Sequence, residues 1–368
     1  MQVKPFSQRI IFIISWHEKG EWGLVRDFQR LFERVDVLQP LGLGTGMPRV
    51  IKSLSSKLAA VYLPLWTLLR YNKYDLVVSY SIRSGTVFGV LKRIMGSFIS
   101  MPLHIVRDFH INLAEADIFL KRLKYAILGF ATPGMDMILT TSRQEIDIYS
   151  ELFKIPQNRV RFYPDGAPTY FLQYNVDNSA GPGSHVFSYG NSDRDYDVLI
   201  MAIKNLHVPC IILSQNFNPS TKLPHNVKLI RDRVSLEEMT RLILESAVTV
   251  ISTHYYNVAA GQNGILEAMS LGRPVVSTEN FASLEYGKDG ESIILVPPAD
   301  PDALRKAIKK LLENPDLAAS MGRKAREFAL ESSAGLMDIF CEYIEDILPN
   351  MNKGELVQEI KKIQSSGK

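Results

Sequence analysis

Gly261, Gly264 and Glu267 stand at a spacing that could hold a phosphorylated ligand. They belong to GQNGILEAMSLGRPVVST, residues 261–278. This stretch reads as a loop, a helix starting near Asn263 or Gly264, and a buried strand after Gly272. Glycines let the loop backbone approach a ligand closely, and the helix N-terminus offers N–H groups and the positive end of a dipole. That combination suits a diphosphate. Gln262, Asn263 and Ile265 are the other backbone candidates in the same turn. Glu267 falls about one turn into the helix, where a carboxylate can accept hydrogen bonds from ribose hydroxyls. Taken alone, such a loop is equally an ordinary helix start in an α/β protein.

Strand–helix alternation must position this stretch. Short β-branched or aromatic runs at 9–15, 35–41, 75–81, 102–108, 135–141 and 160–165 read as strands buried on both faces. Helical stretches at 24–33, 85–95 and 143–153 lie between them. Residues 173–184 (QYNVDNSAGPGS) have little to bury and read as a linker. The alternation then restarts, with strands at 185–189, 210–214, 227–231, 248–252, 274–278 and 292–296. Helices fit 195–206, 236–245, 264–271, 302–314 and 317–331, and Ser235 with Glu238 forms a capping box. The expectation is two doubly wound α/β domains, with ligands at the carboxyl ends of the strands.

Composition excludes several classes. A chain of 368 residues with 46% hydrophobic and 22% charged residues is not intrinsically disordered. Two cysteines, Cys210 and Cys341, exclude a disulfide scaffold or a cysteine-rich zinc site and fit a reducing cytosol. Residues 1–8 carry no secretory signal, and no apolar run approaches the roughly 18 residues of a membrane span. The net charge of +3 conceals a division: residues 1–130 hold 18 Lys/Arg and 9 Asp/Glu, and residues 131–368 hold 24 and 30. The basic half points to an anionic surface or ligand. Residues 49–70 place apolar side chains at helical spacing, with Lys52 and Lys57 on the polar side and Pro64 as a kink. Two readings stay open: a core-facing helix, or an interfacial helix on anionic lipid. Lys92–Arg93 and Lys121–Arg122–Lys124 add charge in the same half. No nucleic-acid module or aromatic–basic interleaving accompanies it.

The strings LEAMSLGRPVVST, YGKDGESIILVPPADPDAL and LLENPDLAASMGRKAREFA together are far more specific than the glycines. Over roughly residues 185–332 the chain resembles the glycosyltransferase group 1 family, the retaining, glycogen-synthase-like enzymes of family four. The resemblance implies a GT-B architecture, an α/β fold of two facing Rossmann-like domains with an interdomain cleft. The implied domains are 1–172 for the acceptor, 173–184 as linker, and 185–348 for the nucleotide-sugar donor. The last helix of 185–348 would pack back on the first domain, and 349–368 would be a polar tail. Glu267 matches the second glutamate of the family's Glu-x7-Glu motif. The position of the first is Ala259, a departure at a site that contacts the transferred sugar. Some subgroups carry a Gly-Gln pair there, as Gly261–Gln262 does here. The family's Gly-Arg pair with a nearby lysine becomes YGNSDRDYDVL, so that Gly190 is kept and Asn191 replaces the first cation. Arg194 then becomes the phosphate cation, against the plainer reading of a helix-end charge paired with Asp193, Asp195 or Asp197. Base recognition would fall to loops near 214–216 and 231–233.

In the N-terminal half, His110 in HIVRDFHINL falls where the family places a histidine facing the donor's anomeric centre, and His104 is the core alternative. The loop SWHEKGEWGLVRDF matches the family's glycine-rich loop loosely, with Gly20 and Gly23 separated and His17 as a further contact. The expected activity is metal- and cofactor-independent transfer from a nucleotide-diphosphate sugar to a glycan or lipid-linked acceptor. Catalysis would fall to His110 and Arg194, in cell-surface polysaccharide or glycolipid synthesis. The expected location is cytoplasmic, peripheral on the inner face of the membrane. The alternatives are a non-catalytic GT-B nucleotide- or partner-binding protein and a nucleotide-sugar epimerase.

Overall fold

A computed structural model describes residues 6–15, 23–40, 49–111, 118–174, 183–257 and 259–366. They fall into two compact units, the first from 6–163 with 337–366 and the second essentially 164–336. In the first unit the order is β1 (Phe6–Ile13), α1 (Gly23–Leu31), β2 (Phe32–Leu38), α2 (Arg49–Leu68), β3 (Leu76–Ser79), α3 (Ile82–Met95), β4 (Leu103–Val106), α4 (Ile118–Ala131), β5 (Met137–Thr140), α5 (Gln144–Phe153) and β6 (Val160–Phe162). The second unit holds α6 (Thr169–Leu172), β7 (His185–Tyr189), α7 (Tyr196–Ile203), β8 (Cys210–Leu213), β9 (Val227–Ile230), α8 (Leu236–Leu244), β10 (Ser246–Ile251), α9 (Gln262–Ser270), β11 (Val275–Thr278), β12 (Ile294–Val296), α10 (Pro301–Leu312) and α11 (Pro315–Ala334). Helices α12 (Leu336–Ile347) and α13 (Glu355–Ser366) return to the first unit.

Each unit is built on one six-stranded parallel sheet. The orders are β2-β1-β3-β4-β5-β6 and β12-β11-β10-β7-β8-β9. The strands are short and buried on both faces, which is why Ile10–Ile14, Leu76–Val78 and Val248–Ile251 carry almost continuous apolar side chains. Right-handed crossovers assign the helices to layers. In the first unit the chain steps toward β6 through α2, α3, α4 and α5, and these lie in sequence on one face, each packed against the next. The step from β1 to β2 runs the other way, so α1 lies on the opposite face, where α13 packs against it.

Helices α4, α6, α12 and α13 have no counterpart in the periodicity reading, and residues 355–366 are helical within the stretch read as a polar tail. Phe340 of α12 is fully buried, its ring stacked 6.1 Å from Phe28 and 5.6 Å from Tyr163. Burial of a phenylalanine of this kind is worth about 2–3 kcal/mol. Glu345 accepts from the Gly354 and Leu356 amides, which turns the chain from α12 into α13. Helix α2 runs through Pro64. The Ser235 hydroxyl accepts from the Glu238 amide at 3.1 Å, forming the cap read from the sequence.

Candidate donor site

The sheet of the second unit reverses its winding between β7 and β10, since β7 leads to β8 on one side and β10 to β11 on the other. Open α/β sheets bind ligands at such a switch point, beyond the carboxyl ends of the strands. Three segments meet there. The turn after β7 begins with Gly190 at φ +123, and a Cβ on Gly190 would lie 2.8 Å from the Arg194 guanidinium. Glycine is therefore required if Arg194 is to fold back over the strand end. Arg194 Nε donates to the Tyr189 carbonyl at 3.0 Å and Nη1 to the Ser192 carbonyl at 2.8 Å. An isolated antiparallel bridge between Arg194 and Thr253 ties this turn to the segment after β10.

The third segment is the start of α9. Gly261 is its N-cap, at φ +94, with no side chain capping the first turn. The first backbone bond of the helix runs from the Ile265 amide to the Gly261 carbonyl at 3.0 Å. The amides of Gln262, Asn263 and Gly264 precede that bond and are available to a ligand. The Arg194 guanidinium lies 3.7 Å from the Cβ positions of both Gly261 and Gly264. A cation thus sits against the positive end of a helix, two features that repel each other until an anion lies between them. Burial lowers the Arg194 pKa, and the nearby Tyr196, Tyr189, Asp193 and Glu267 pull it the other way.

Glu267 is one turn further in. Burial raises its pKa, opposed by the Tyr189 hydroxyl and the Arg194 charge. That hydroxyl also donates to the Gly264 carbonyl at 3.0 Å, which joins the end of β7 to the first turn of α9. Asn191 does not act as a cation would: its side-chain oxygen accepts from Ser214 Oγ at 3.1 Å and the Gln215 amide at 2.8 Å. Beside it opens a cavity of ≈ 430 Å³ lined by Gly190, Asn191, Ser214, Gln215, Arg233 and Met239. The loops at 214–216 and 231–233 meet here. A smaller cavity of ≈ 250 Å³ shares Asn191 and Ser214 and adds Asp193, Arg194, Phe217 and His254.

Thus Gly190, Asn191, Arg194, Gly261, Gln262, Asn263, Gly264 and Glu267 converge on one place. Ile265 stands apart from them, because its side chain is fully buried and its amide is bonded to Gly261. Ala259 is buried. One supporting residue escaped the sequence reading. Asn280, fully buried, donates to Thr253 Oγ1 at 2.8 Å and to the Ala260 carbonyl at 3.1 Å, while its own oxygen accepts from the amides of Ala282 and Ser283. It fixes the peptide just before Gly261. No motif marks it.

His110 belongs to the first unit, after β4. Its backbone is pinned on both sides, by the Phe109 amide to the Leu139 carbonyl and by the Ile111 amide to Tyr149 Oη. His110 Nδ1 lies 3.2 Å from Glu145 Oε1, which also accepts from Tyr149 Oη at 2.6 Å. The Glu145 side chain is 2% exposed and its Oε2 is buried without a partner. Such a carboxylate favours the tautomer that donates a hydrogen bond from Nδ1 and leaves Nε2 as the acceptor of the neutral ring. His104 is a core residue, fully buried, bonded to Ser79 Oγ and edge-on to Phe88, with its pKa lowered by burial to about 3. Gly23 opens α1, and His17 and Gly20 lie outside the described residues.

With this geometry in place, comparisons with known proteins define the class. Residues 195–314 match the family model described as glycosyl transferases group 1. A D-rhamnosyltransferase, WbpZ of Pseudomonas aeruginosa, is 35% identical over 94 residues, which is 25% of this chain and 24% of that protein. The match thus spans about a quarter of that relative's length. Among solved structures, the sucrose-phosphate synthase of Thermosynechococcus elongatus aligns at TM-score 0.68 and 16% identity, covering 92% of this chain and 99% of that one. Anabaena HepE in complex with UDP aligns at TM-score 0.64 and 12% identity, covering 92% and 100%. The fold of the two units is GT-B.

Proposed function

We propose that the chain transfers a sugar from a nucleotide-diphosphate donor to a glycan or lipid-linked acceptor, with retention of configuration. The observation that carries this reading is the Arg194 guanidinium set against the first turn of α9. Together they supply a charge-assisted cradle for a diphosphate, and they stabilise the negative charge that grows on it as the sugar departs. Glu267 takes the ribose hydroxyls and the larger cavity takes the base. His110 presents Nε2 to the sugar, and Glu145 and Tyr149 hold its ring. Uridine diphosphate is the first nucleotide to test, because HepE is known in complex with UDP.

Titration with UDP, GDP and ADP should show saturable binding of one of them. Incubation of the matching nucleotide sugars should then release that nucleotide by transfer or slow hydrolysis. Ala259, which brings no carboxylate to the sugar position, favours a second reading, a protein that binds nucleotide without turnover. Binding with no turnover of any common donor would establish that reading, and absence of all binding would overturn both.

The His110 pair makes a separate prediction. Glu145→Gln replaces the charged acceptor opposite Nδ1 with a neutral amide, so kcat should fall on the order of tenfold or more with little change in donor KM. Nitrogen NMR of the His110 ring should show the tautomer change at the same time. A variant with parental kcat would remove Glu145 from the reaction.

A further inference from the structure

We propose that the layer of α2, α3 and α4 in the first unit docks in the plane of an anionic phospholipid bilayer. Helix α2 has two apolar faces. The inner one carries Ala59 and Leu63, packed with Val77 and Phe88 in the core. The outer one carries Leu54, Leu58, Val61 and Leu65 at helical spacing, with Leu58 57% exposed, and Leu69 just past the helix end is 80% exposed. Helix α4 repeats the pattern with exposed Phe119, Leu123, Ile127 and Phe130. Between them α3 packs against both helices, and the chain at its end exposes Ile94 and Phe98, the latter 80%. The Arg93 guanidinium lies 4.4 Å from the Phe130 ring centre and donates to the Phe130 carbonyl at 2.8 Å, joining α3 to α4. Exposed apolar side chains scattered singly are ordinary on a protein surface, whereas a layer of adjacent helices that carries them along its length calls for a cover.

Charge selects the cover. Helices α2, α3 and α4 together carry nine Lys and Arg residues and no Asp or Glu. The next helix of the same layer, α5, carries Glu145, Asp147 and Glu151. Helices with apolar outer side chains whose charged residues are all cationic fit a surface that offers acyl chains beneath anionic headgroups. Leucines and phenylalanines enter the acyl boundary, while the exposed Lys57 and Arg122 reach phosphates. Among the described residues no helix is long and apolar enough to cross a membrane, so the contact lies in the interface. This inference stands on the first unit alone and does not depend on the donor chemistry of the second.

The test is flotation of the full chain with vesicles of equal parts phosphatidylglycerol and phosphatidylcholine, beside vesicles of phosphatidylcholine alone. The protein should float with the first and remain behind with the second, and added salt should weaken the binding. Lys57→Glu with Arg122→Glu should lower partitioning at least about 25-fold, the loss expected from removing two cations alone. Leu58→Glu with Leu123→Glu should abolish it, and thermal melting checks that each variant is folded. If the leucine pair does not fold, the charge pair carries the test alone. A parent chain that stays off anionic vesicles, or charge variants that float as the parent does, overturns the proposal. So does a parent that self-associates through this face, becoming monomeric in the leucine variant without ever binding vesicles.

Discussion

Arg194→Met should lower donor turnover by about 10²- to 10³-fold, the usual consequence of removing one preorganised group from a developing negative charge. The size of the effect follows from where the guanidinium sits. It is half-buried, and Gly190, Gly261 and Gly264 approach it with backbone in place of side chains. Arg194→Lys tests geometry as well as charge. A lysine ammonium cannot span the Tyr189 and Ser192 carbonyls as the guanidinium does, nor bind a phosphate bidentately. It should recover only part of the loss. Nucleotide affinity should fall in both variants. If Arg194 served only as a charge beside Asp193 and Asp195, turnover would survive its removal while folding stability dropped. Steady-state kinetics with the donor, beside thermal melting of the apo protein, separates the two cases.

What the sequence could carry about this site was whatever is local in the chain. Glycines 261 and 264, the helix they precede and Glu267 one turn on lie within seven residues, and period and spacing suffice to read them. Strands buried on both faces were equally plain, because their apolar runs need no partner to be recognised. Groups that act across the sheet were not visible. Glu145 is 35 positions from His110, and Asn280 is 20 from Ala260. Neither pairing leaves a trace in any window of the chain. Helix α2 shows a different limit. Its apolar positions give the period of a helix without telling which face is buried, and both faces are apolar: Leu63 faces the core while Leu58 faces outward. Of the two readings of residues 49–70, the core-facing one holds for the inner face of the helix, and the lipid one rests on the outer face as a proposal. Helix α4 escaped the reading because apolar side chains lie on its exposed side as well as its buried one, with Phe119, Leu123 and Ile127 outward and Leu128 and Ala131 in the core. Ile265 fell to the opposite error. Counted as a ligand contact because it stands among contacts, it is one of the α9 residues, with Leu266, Ala268 and Met269, whose side chains are buried in the core.

Glu267→Gln should weaken nucleotide binding about tenfold or more and at the same time stabilise the apo protein. A carboxylate that accepts from ribose hydroxyls makes charge-assisted bonds worth roughly 1.5–3 kcal/mol, and an uncharged amide loses most of that. The gain in stability comes from the same carboxylate in the absence of ligand. Burial raises the Glu267 pKa above its ordinary 4.5, so the folded chain holds that proton more tightly than the unfolded one. A group of this kind stabilises the fold while protonated, and the contribution is lost as pH rises from the unfolded value through the raised folded one. Parent and Glu267→Gln should therefore melt alike at pH below 4.5 and diverge above it, with the glutamine form the more stable at neutral pH. Calorimetric titration with the nucleotide and melting curves across that pH range measure both halves. Unchanged affinity would remove Glu267 from the ribose. A glutamine variant that is less stable at neutral pH would mean that the Tyr189 hydroxyl and the Arg194 charge already compensate the buried carboxylate. Its place one turn into α9 would then be structural, because only a ligand-binding group is kept where the empty protein would be better without it.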